Sequence, residues 1–207
     1  MRSALTPIAA SLAALALGGS ALAQTPPPPS HDPAAVQPGA YAVEPRHTRV
    51  VFAVNHMGFT TWYGDFTGVT GKLTLDPAKP GDSAVEVSIP TASVSTTNPT
   101  LDGELKGGEW LDAAHYPAIT FKSTRVEPTG PASARITGDL TLHGVTRPVV
   151  LDAKFNAAGV NPLDRRYTVG FDAVAHLNRS DYGVKTYVPL IGDQVDVIIS
   201  AAFEKAP

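Results

Sequence analysis

A chain of 207 residues is long enough for one domain with a well-buried core. Sixteen Lys and Arg against nineteen Asp and Glu leave a formal charge of -3, so the basic excess that phosphate-backbone binding requires is missing and no nucleic-acid partner is expected. The chain has no cysteine, which removes disulfides, thiolate metal sites, a cysteine nucleophile and the lipidated cysteine of a bacterial lipoprotein together.

The N-terminus has the three parts of a secretory signal. Arg2 supplies the positive charge, residues 12–17 an apolar run, and Ala21-Leu22-Ala23 a small-residue cleavage site. A membrane anchor would need about 20 consecutive apolar residues, and this run is shorter and is broken at Gly18-Gly19-Ser20. Cleavage after Ala23 is expected, which makes residues 1–23 the signal peptide and leaves 207 − 23 = 184 residues. Residues 24–40 then read as a proline-rich linker, because Pro26, Pro27, Pro28 and Pro29 force polyproline II while Asp32-Pro33 and Gln37-Pro38 keep the chain extended. Such a segment has no core to join, and a spacer is the plain reading against a proline-rich docking peptide.

From Tyr41 the hydrophobic period becomes two. Val50, Phe52, Val54 and His56 share one strand face, with Val51, Ala53 and Asn55 on the other. Past Gly58 a second run carries Phe66, Val69, Gly71, Leu73 and Leu75 to a stop at Asp76-Pro77, and the differing parity of Phe66 and Val69 predicts a bulge near Gly68. Val85, Val87 and Ile89 make a third strand. Asn98 as N-cap, Pro99 at the first helical position and Leu101 with Leu105 at i, i+4 predict one short helix ended by Gly107-Gly108. Its small apolar stripe, with Trp110, suits it to covering one end of a barrel.

Ile119, Phe121 and Ser123 share a face of the next strand, which turns at Pro128-Thr129-Gly130-Pro131. Residues 138–151 then read as a hairpin. Leu140 and Leu142 face one way and Asp139, Thr141 and His143 the other, Gly144 permits a positive φ at the turn, and Val149 and Leu151 resume the alternation. Pro148, lacking an amide donor, requires a strand start or an unpaired edge. That second strand is expected to break at Ala158-Gly159 and Asn161-Pro162. Val169, Phe171, Ala173 and Ala175 alternate next, residues 178–183 form a polar loop, and Val195, Val197, Ile199, Ala201 and Phe203 make the last strand. About eight short alternating strands fit a β-sandwich or an antiparallel barrel equally.

Little in the residues points to catalysis. The six histidines are scattered, with no HExxH or HxH spacing for a metal, and His47 and His56 fall on opposite strand faces. No Gly-x-Ser-x-Gly elbow is present, the carboxylate pairs Asp181 with Asp193 and Glu104 with Asp112 read as surface groups, and no glycine-rich segment opens a long helix. Trp62, Tyr63 and Trp110 read as core plugs before ligand stackers. The sharpest polar feature is Asn178-Arg179-Ser180-Asp181-Tyr182-Gly183. It reads either as a structural corner or as a loop that places Arg179, with its planar fork of donors, at a barrel mouth against a polar or phosphorylated head group.

The stretch Glu109-Trp110-Leu111-Asp112-Ala113-Ala114-His115-Tyr116-Pro117-Ala118-Ile119-Thr120-Phe121-Lys122-Ser123, the central hairpin and the polar loop, in this order, resemble the YceI family of bacterial periplasmic, lipocalin-like proteins, from about Tyr41 to Phe203. The resemblance implies that residues 41–207 form an all-β, eight-stranded antiparallel lipocalin-like barrel with one short helical segment covering an end. It also implies a periplasmic protein that holds a polyisoprenoid, either a prenyl lipid or an isoprenoid quinone, with no metal and no further cofactor. Leu101-Asp102-Gly103-Glu104-Leu105 keeps the aspartate and second leucine of the family's Arg-Asp-x-His-Leu segment but replaces its arginine and histidine.

By parity the inward wall of such a barrel is Phe52, Val54, Leu73, Phe121, Leu140, Leu142, Phe171 and Val197, and His56 and Arg179 complete the candidate ligand-binding set. The competing reading is that these side chains fill a solid core. Two further readings of the function stand beside a carrier: a partner module for a membrane redox protein, and an enzyme acting on an isoprenoid lipid through Asp139, His143 or Asp181. A homodimer is compatible with all three.

Overall fold

A strand with one apolar face must cover that face and satisfy both edges, and closing the sheet on itself does both. The computed structural model describes residues 26–206, so the signal peptide expected at residues 1–23 lies outside the described residues. The alternating runs become ten strands: β1 (Gly39–Val43), β2 (Arg49–His56), β3 (Thr60–Phe66), β4 (Thr70–Leu75), β5 (Ala84–Pro90), β6 (Ala118–Gly130), β7 (Ser133–Leu142), β8 (Val145–Val160), β9 (Tyr167–Asn178) and β10 (Ile191–Lys205). Their order is β1-β4-β5-β6-β7-β8-β9-β10-β2-β3, every pair is antiparallel, and pairing of β1 with β10 closes the ring.

The ring has eight positions because two of them are held by broken strands. β2 pairs with β10 from Ile191 to Ser200 and β1 takes over at Phe203, while β3 lies beside β2 and β4 beside β1. The second break replaces the bulge expected near Gly68. β3 stops at Phe66, Gly68 takes a φ of 68° and β4 restarts at Thr70, and this left-handed step resets the alternation so that Phe66 and Val69 are both buried. The break expected at Ala158-Gly159 does not occur either. β8 runs on to Val160 through a register shift between Phe155 and Ala157, which keeps Phe155 and Ala158 both buried, and the chain turns only after it.

The central hairpin forms as its residues dictate. His143 and Gly144 have φ values of 50° and 74°, the two successive left-handed residues of a type I′ turn, whose twist matches that of the flanking strands. Pro148 sits opposite Asp139 of β7, and pairing of β8 with β9 begins only at Asp152, so the missing amide faces an unpaired edge. The helix α1 (Pro99–Lys106) starts at Asn98, whose side chain accepts from the amides of Thr100 and Leu101 at 3.1 and 3.3 Å, and stops at Gly107.

The two ends of the barrel differ. One, the helix end, carries the β2–β3 turn, α1, the His143-Gly144 turn and residues 179–190; the other carries residues 76–83, 131–132 and 161–166. At this second end the proline-rich segment does have a core to join, contrary to its reading as a free spacer. β8 outruns β7, whose pairing ends at Ser133 with Lys154, and the backbone groups left over on β8 need partners. Ser30 supplies them: its amide donates to the Ala158 carbonyl at 2.8 Å and its carbonyl accepts from the Ala158 amide at 2.9 Å. Six residues on, Val36 is 5% exposed.

Candidate functional site

Burial along the inward faces is uneven, and that unevenness locates the site. Apolar clusters lie toward the two ends, one around Phe66, Ile119, Leu142 and Tyr182 and the other around Tyr41, Phe155, Val169 and Phe203. Between them Leu140, Leu151, Val195, Val197 and Ile199 point inward but are only half-buried. They line a cavity of about 410 Å³. The barrel is therefore hollow at mid-height, which decides against a solid core.

Two glycines help to keep it hollow. The Phe52 ring rests on Gly64, where a Cβ would come within 2.3 Å of the ring, and the Phe121 ring rests on Gly138, where the distance would be 2.4 Å. Each phenylalanine thus lies against the wall across a neighbouring strand and leaves the centre free.

The lining is hydrocarbon almost throughout. Its few polar side chains are turned to the backbone or to one another: the Thr48 hydroxyl donates to the Ala202 carbonyl and accepts from the Ala202 amide, and the Asp76 carboxylate accepts from the amides of Ala78 and Lys79. The Ser83 hydroxyl oxygen accepts from the Asp76 amide at 3.1 Å, and that of Ser133 accepts from the Thr129 hydroxyl at 3.1 Å. A ligand here meets methyl, methylene and aromatic groups.

Of the ten residues placed in the site by parity and resemblance, Phe52, Val54, Leu73, Phe121, Leu140, Leu142, Phe171, Arg179 and Val197 line the cavity. His56 does not. It is the last residue of β2, beside Trp62 with ring centroids 5.7 Å apart, and its partner on β10, Ile191, lines the wall there. Leu73, Phe121 and Leu142 are below 10% exposed and pack as much as they line, whereas Val54, Leu140 and Val197 face the void.

Arg179 is 6% exposed at the helix end, and each of its three nitrogens donates to a backbone carbonyl. Nε donates to the Gly192 carbonyl at 2.9 Å, Nη1 to that of Val184 at 3.1 Å and Nη2 to that of Ile191 at 2.9 Å, with the guanidinium 5.4 Å over the Trp110 ring. Burial pulls its pKa down, partly offset by the nearby Asp193 carboxylate. Asp193 itself accepts from the Ser180 amide and hydroxyl at 2.9 and 2.7 Å. The polar loop is thus a structural corner that also contributes to the lining.

Asp139, His143 and Asp181 are not joined by hydrogen bonds or ion pairs among the described residues; the His143 ring is bonded through Nδ1 to the Tyr182 carbonyl at 3.0 Å. No cluster of histidine and carboxylate groups suited to a metal occurs among them either. Leu105, Trp110 and Leu111 plug the helix end, as the apolar stripe of that segment suggests. At the other end the lining includes the exposed residues Pro80, Pro128 and Pro131, with Pro33 and Pro77 beside them, and this is the cavity's mouth. In the sequence these prolines read only as turn punctuation, and their gathering into one rim depends on three turns meeting.

Comparison with known proteins agrees with this architecture. Residues 41–203 match the model of the YceI-like domain. A UPF0312 protein of Pseudomonas syringae pv. syringae is 39% identical over 175 residues, covering 84% of this chain and 87% of that protein. Among solved structures, Burkholderia cenocepacia BcnA superposes with a TM-score of 0.70 at 24% identity, over 77% of this chain and 98% of its own. A polyisoprenoid binding domain from Saccharophagus degradans, implicated in plant cell wall breakdown, does so with a TM-score of 0.62 at 13% identity, over 82% of this chain and all of that one. The closed barrel, the hydrocarbon-lined cavity and the family match over residues 41–203 together make this chain a member of the YceI family.

Proposed function

We propose that the protein is a periplasmic carrier that holds a polyisoprenoid, a prenyl lipid or an isoprenoid quinone, in the barrel cavity. The observation that carries this reading is the hydrocarbon wall left half-covered between two apolar clusters. Burying one CH₂ contributes about 0.8 kcal/mol, so a five-carbon isoprene unit contributes up to about 4 kcal/mol and a few units suffice for tight binding. The cavity's shape favours a long chain over a compact ligand. Its β10 wall runs from Ile191 to Phe203, twelve rises of about 3.3 Å, or roughly 30 Å along the barrel axis once a strand tilt near 40° is allowed for.

The chemistry of a binding domain in a structural neighbour supports the ligand class, and the signal-like N-terminus supports the compartment. Mass spectrometry of organic extracts from protein purified out of its native periplasm tests the ligand, and N-terminal sequencing of the same protein tests the signal assignment. A prenyl lipid is expected in the extract, and the mature chain is expected to begin at Gln24. If no prenyl lipid co-purifies and added geranylgeraniol does not bind, the carrier reading fails. Met1 at the N-terminus of periplasmic protein would remove the signal assignment.

A further inference from the structure

Residues 30–36 stand upstream of the matched family domain, yet they are built into the barrel. Ser30 pairs in both directions with Ala158 on the free edge of β8, and the His31 ring meets the Asn156 carbonyl through Nδ1 at 2.7 Å. Asp32 accepts from the Ala34 amide at 2.9 Å and caps a short 3₁₀ turn, Pro33–Ala35, which carries the chain inward. Val36 then packs into the apolar cluster at this end. Beyond it Gln37 is tied to three strands: its amide donates to the Tyr167 hydroxyl at 3.3 Å, its side-chain oxygen accepts from Lys205 Nζ at 2.8 Å, and its carbonyl accepts from the Tyr41 hydroxyl. The Tyr41 pKa is pushed up to about 12, by burial first and by Tyr167 second, so that donor is retained throughout the working pH range.

β8 and β1 are three positions apart around the ring, so this segment crosses the end of the barrel. Pro33 and Val36 contribute to the cavity lining on the way. The two attachments are unequal. Val36 and Gln37 are held by burial and by three strands, whereas residues 30 and 31 hold to one strand edge through polar contacts near solvent, the kind of attachment that opens locally at low cost.

Resting on the carrier reading above, we infer that lipid enters and leaves through the proline-rimmed mouth, and that residues 30–36 are a strap that closes it and contributes Pro33 and Val36 to the ligand's wall. Gly159 allows the strap to be displaced without touching it. A Cβ there would lie 3.0 Å from Pro29 Cα and 3.4 Å from Pro29 Cβ, and the residue is not part of the cavity lining. It lies within β8, where a β-branched side chain suits the strand, so Gly159→Val should displace the strap and leave the barrel standing.

The chain has no cysteine, so a single Val197→Cys substitution reports passage into the cavity by its rate of reaction with N-ethylmaleimide. Adding Gly159→Val, or Ser30→Pro, which removes the amide donated to Ala158, should raise that rate about tenfold, the size set by losing one or two backbone hydrogen bonds. Without the cysteine, exchange of bound fluorescent geranylgeraniol should quicken by a similar factor. Labelling at the unaltered rate in both variants, with circular dichroism intact, overturns the strap. Should Gly159→Val unfold, Ser30→Pro, which lies outside the barrel strands, decides alone. If geranylgeraniol does not bind even the unaltered chain, the carrier reading fails, and the maleimide rates still decide whether the segment closes the cavity.

Discussion

A phenylalanine resting on a glycine is the smallest unit of this binding site. With Gly64→Ala the new methyl takes the place of the Phe52 ring edge, and the ring must swing toward the centre of the cavity. Prenyl-lipid affinity should fall by about tenfold or more, the equivalent of losing roughly two CH₂ contacts, while circular dichroism stays that of the parent. Isothermal titration with geranylgeraniol measures the change. The same distinction separates two leucines of one strand. Leu140 is half-buried, lining the cavity while packing on the edge of the helix-end cluster, so Leu140→Trp should abolish binding with a smaller loss of stability than the same change at Leu142, which is 9% exposed within that cluster. Leu142→Trp should therefore overpack that cluster and cost about 1 to 3 kcal/mol in urea unfolding. Arg179→Met would leave the carbonyls of Val184, Ile191 and Gly192 without their donors. The bond to Val184 is buried and the other two are part-buried, so a loss of about 1 to 3 kcal/mol from the Val184 acceptor, with less from each of the others, is expected by the same measurement.

At the scale of an element, the helix end depends on a few capped turns. The Asn98 side chain holds the first turn of α1, and Asn98→Ala should cost about 1 kcal/mol. Within that turn, the Asp102 carboxylate accepts from the Thr96 amide at 2.6 Å and the Thr96 hydroxyl at 2.7 Å, and the hydroxyl's bond above all holds the Asp102 pKa below the usual carboxylate value. Asp193 is also held low, where burial acts upward but is outweighed by the bonds from Ser180 and the charge of Arg179. A carboxylate whose folded pKa lies below its unfolded value adds stability that is fully present above the unfolded pKa, near 4, and is lost as pH falls through the folded one. The melting temperature should accordingly hold from pH 7 to about 5 and drop below 4. Asp102→Asn should lower the melting temperature at pH 7 and converge on the parent near pH 2, and thermal melts across that range check it.

For the whole molecule, a hollow barrel stands to gain from what fills it. A ligand that binds only the folded state at about 100 times its Kd adds roughly 2.7 kcal/mol. At about 2 to 4 °C per kcal/mol for a chain of this size, saturating geranylgeraniol should raise the melting temperature by roughly 5 to 10 °C. An unchanged melt at saturation would count against a cavity ligand of this kind. The helix-end cluster and the mouth-end cluster lie on the same eight-position ring, so local opening of the strap should leave this melt cooperative.

Much of this was legible in the residues because it is local. Period-two alternation marks a strand face wherever it occurs, which is why Phe52, Val54, Leu140 and Val197 could be set on the inner wall by counting. Asn98-Pro99 announces α1, and Gly144 marks the hairpin turn, because capping and left-handed backbone are properties of one or two residues. What could not be read depends on distant strands meeting. Sandwich and barrel share one alternation, and only the pairing of β1 with β10, between opposite ends of the domain, separates them. His56, the last residue of β2, stays off the wall although its β10 partner Ile191 lines it, a difference at the strand end that alternation along β2 does not show. The proline-rich segment gained a core only because β8 outruns β7 and leaves Ala158 in need of partners. The hollow depends on Phe52 meeting Gly64, and Phe121 Gly138, across strand boundaries. Patterning within the sequence by itself determined which side chains face inward; tertiary structure decided that they surround a cavity, because whether a closed sheet is filled or hollow depends on which residues of neighbouring strands come to lie opposite one another.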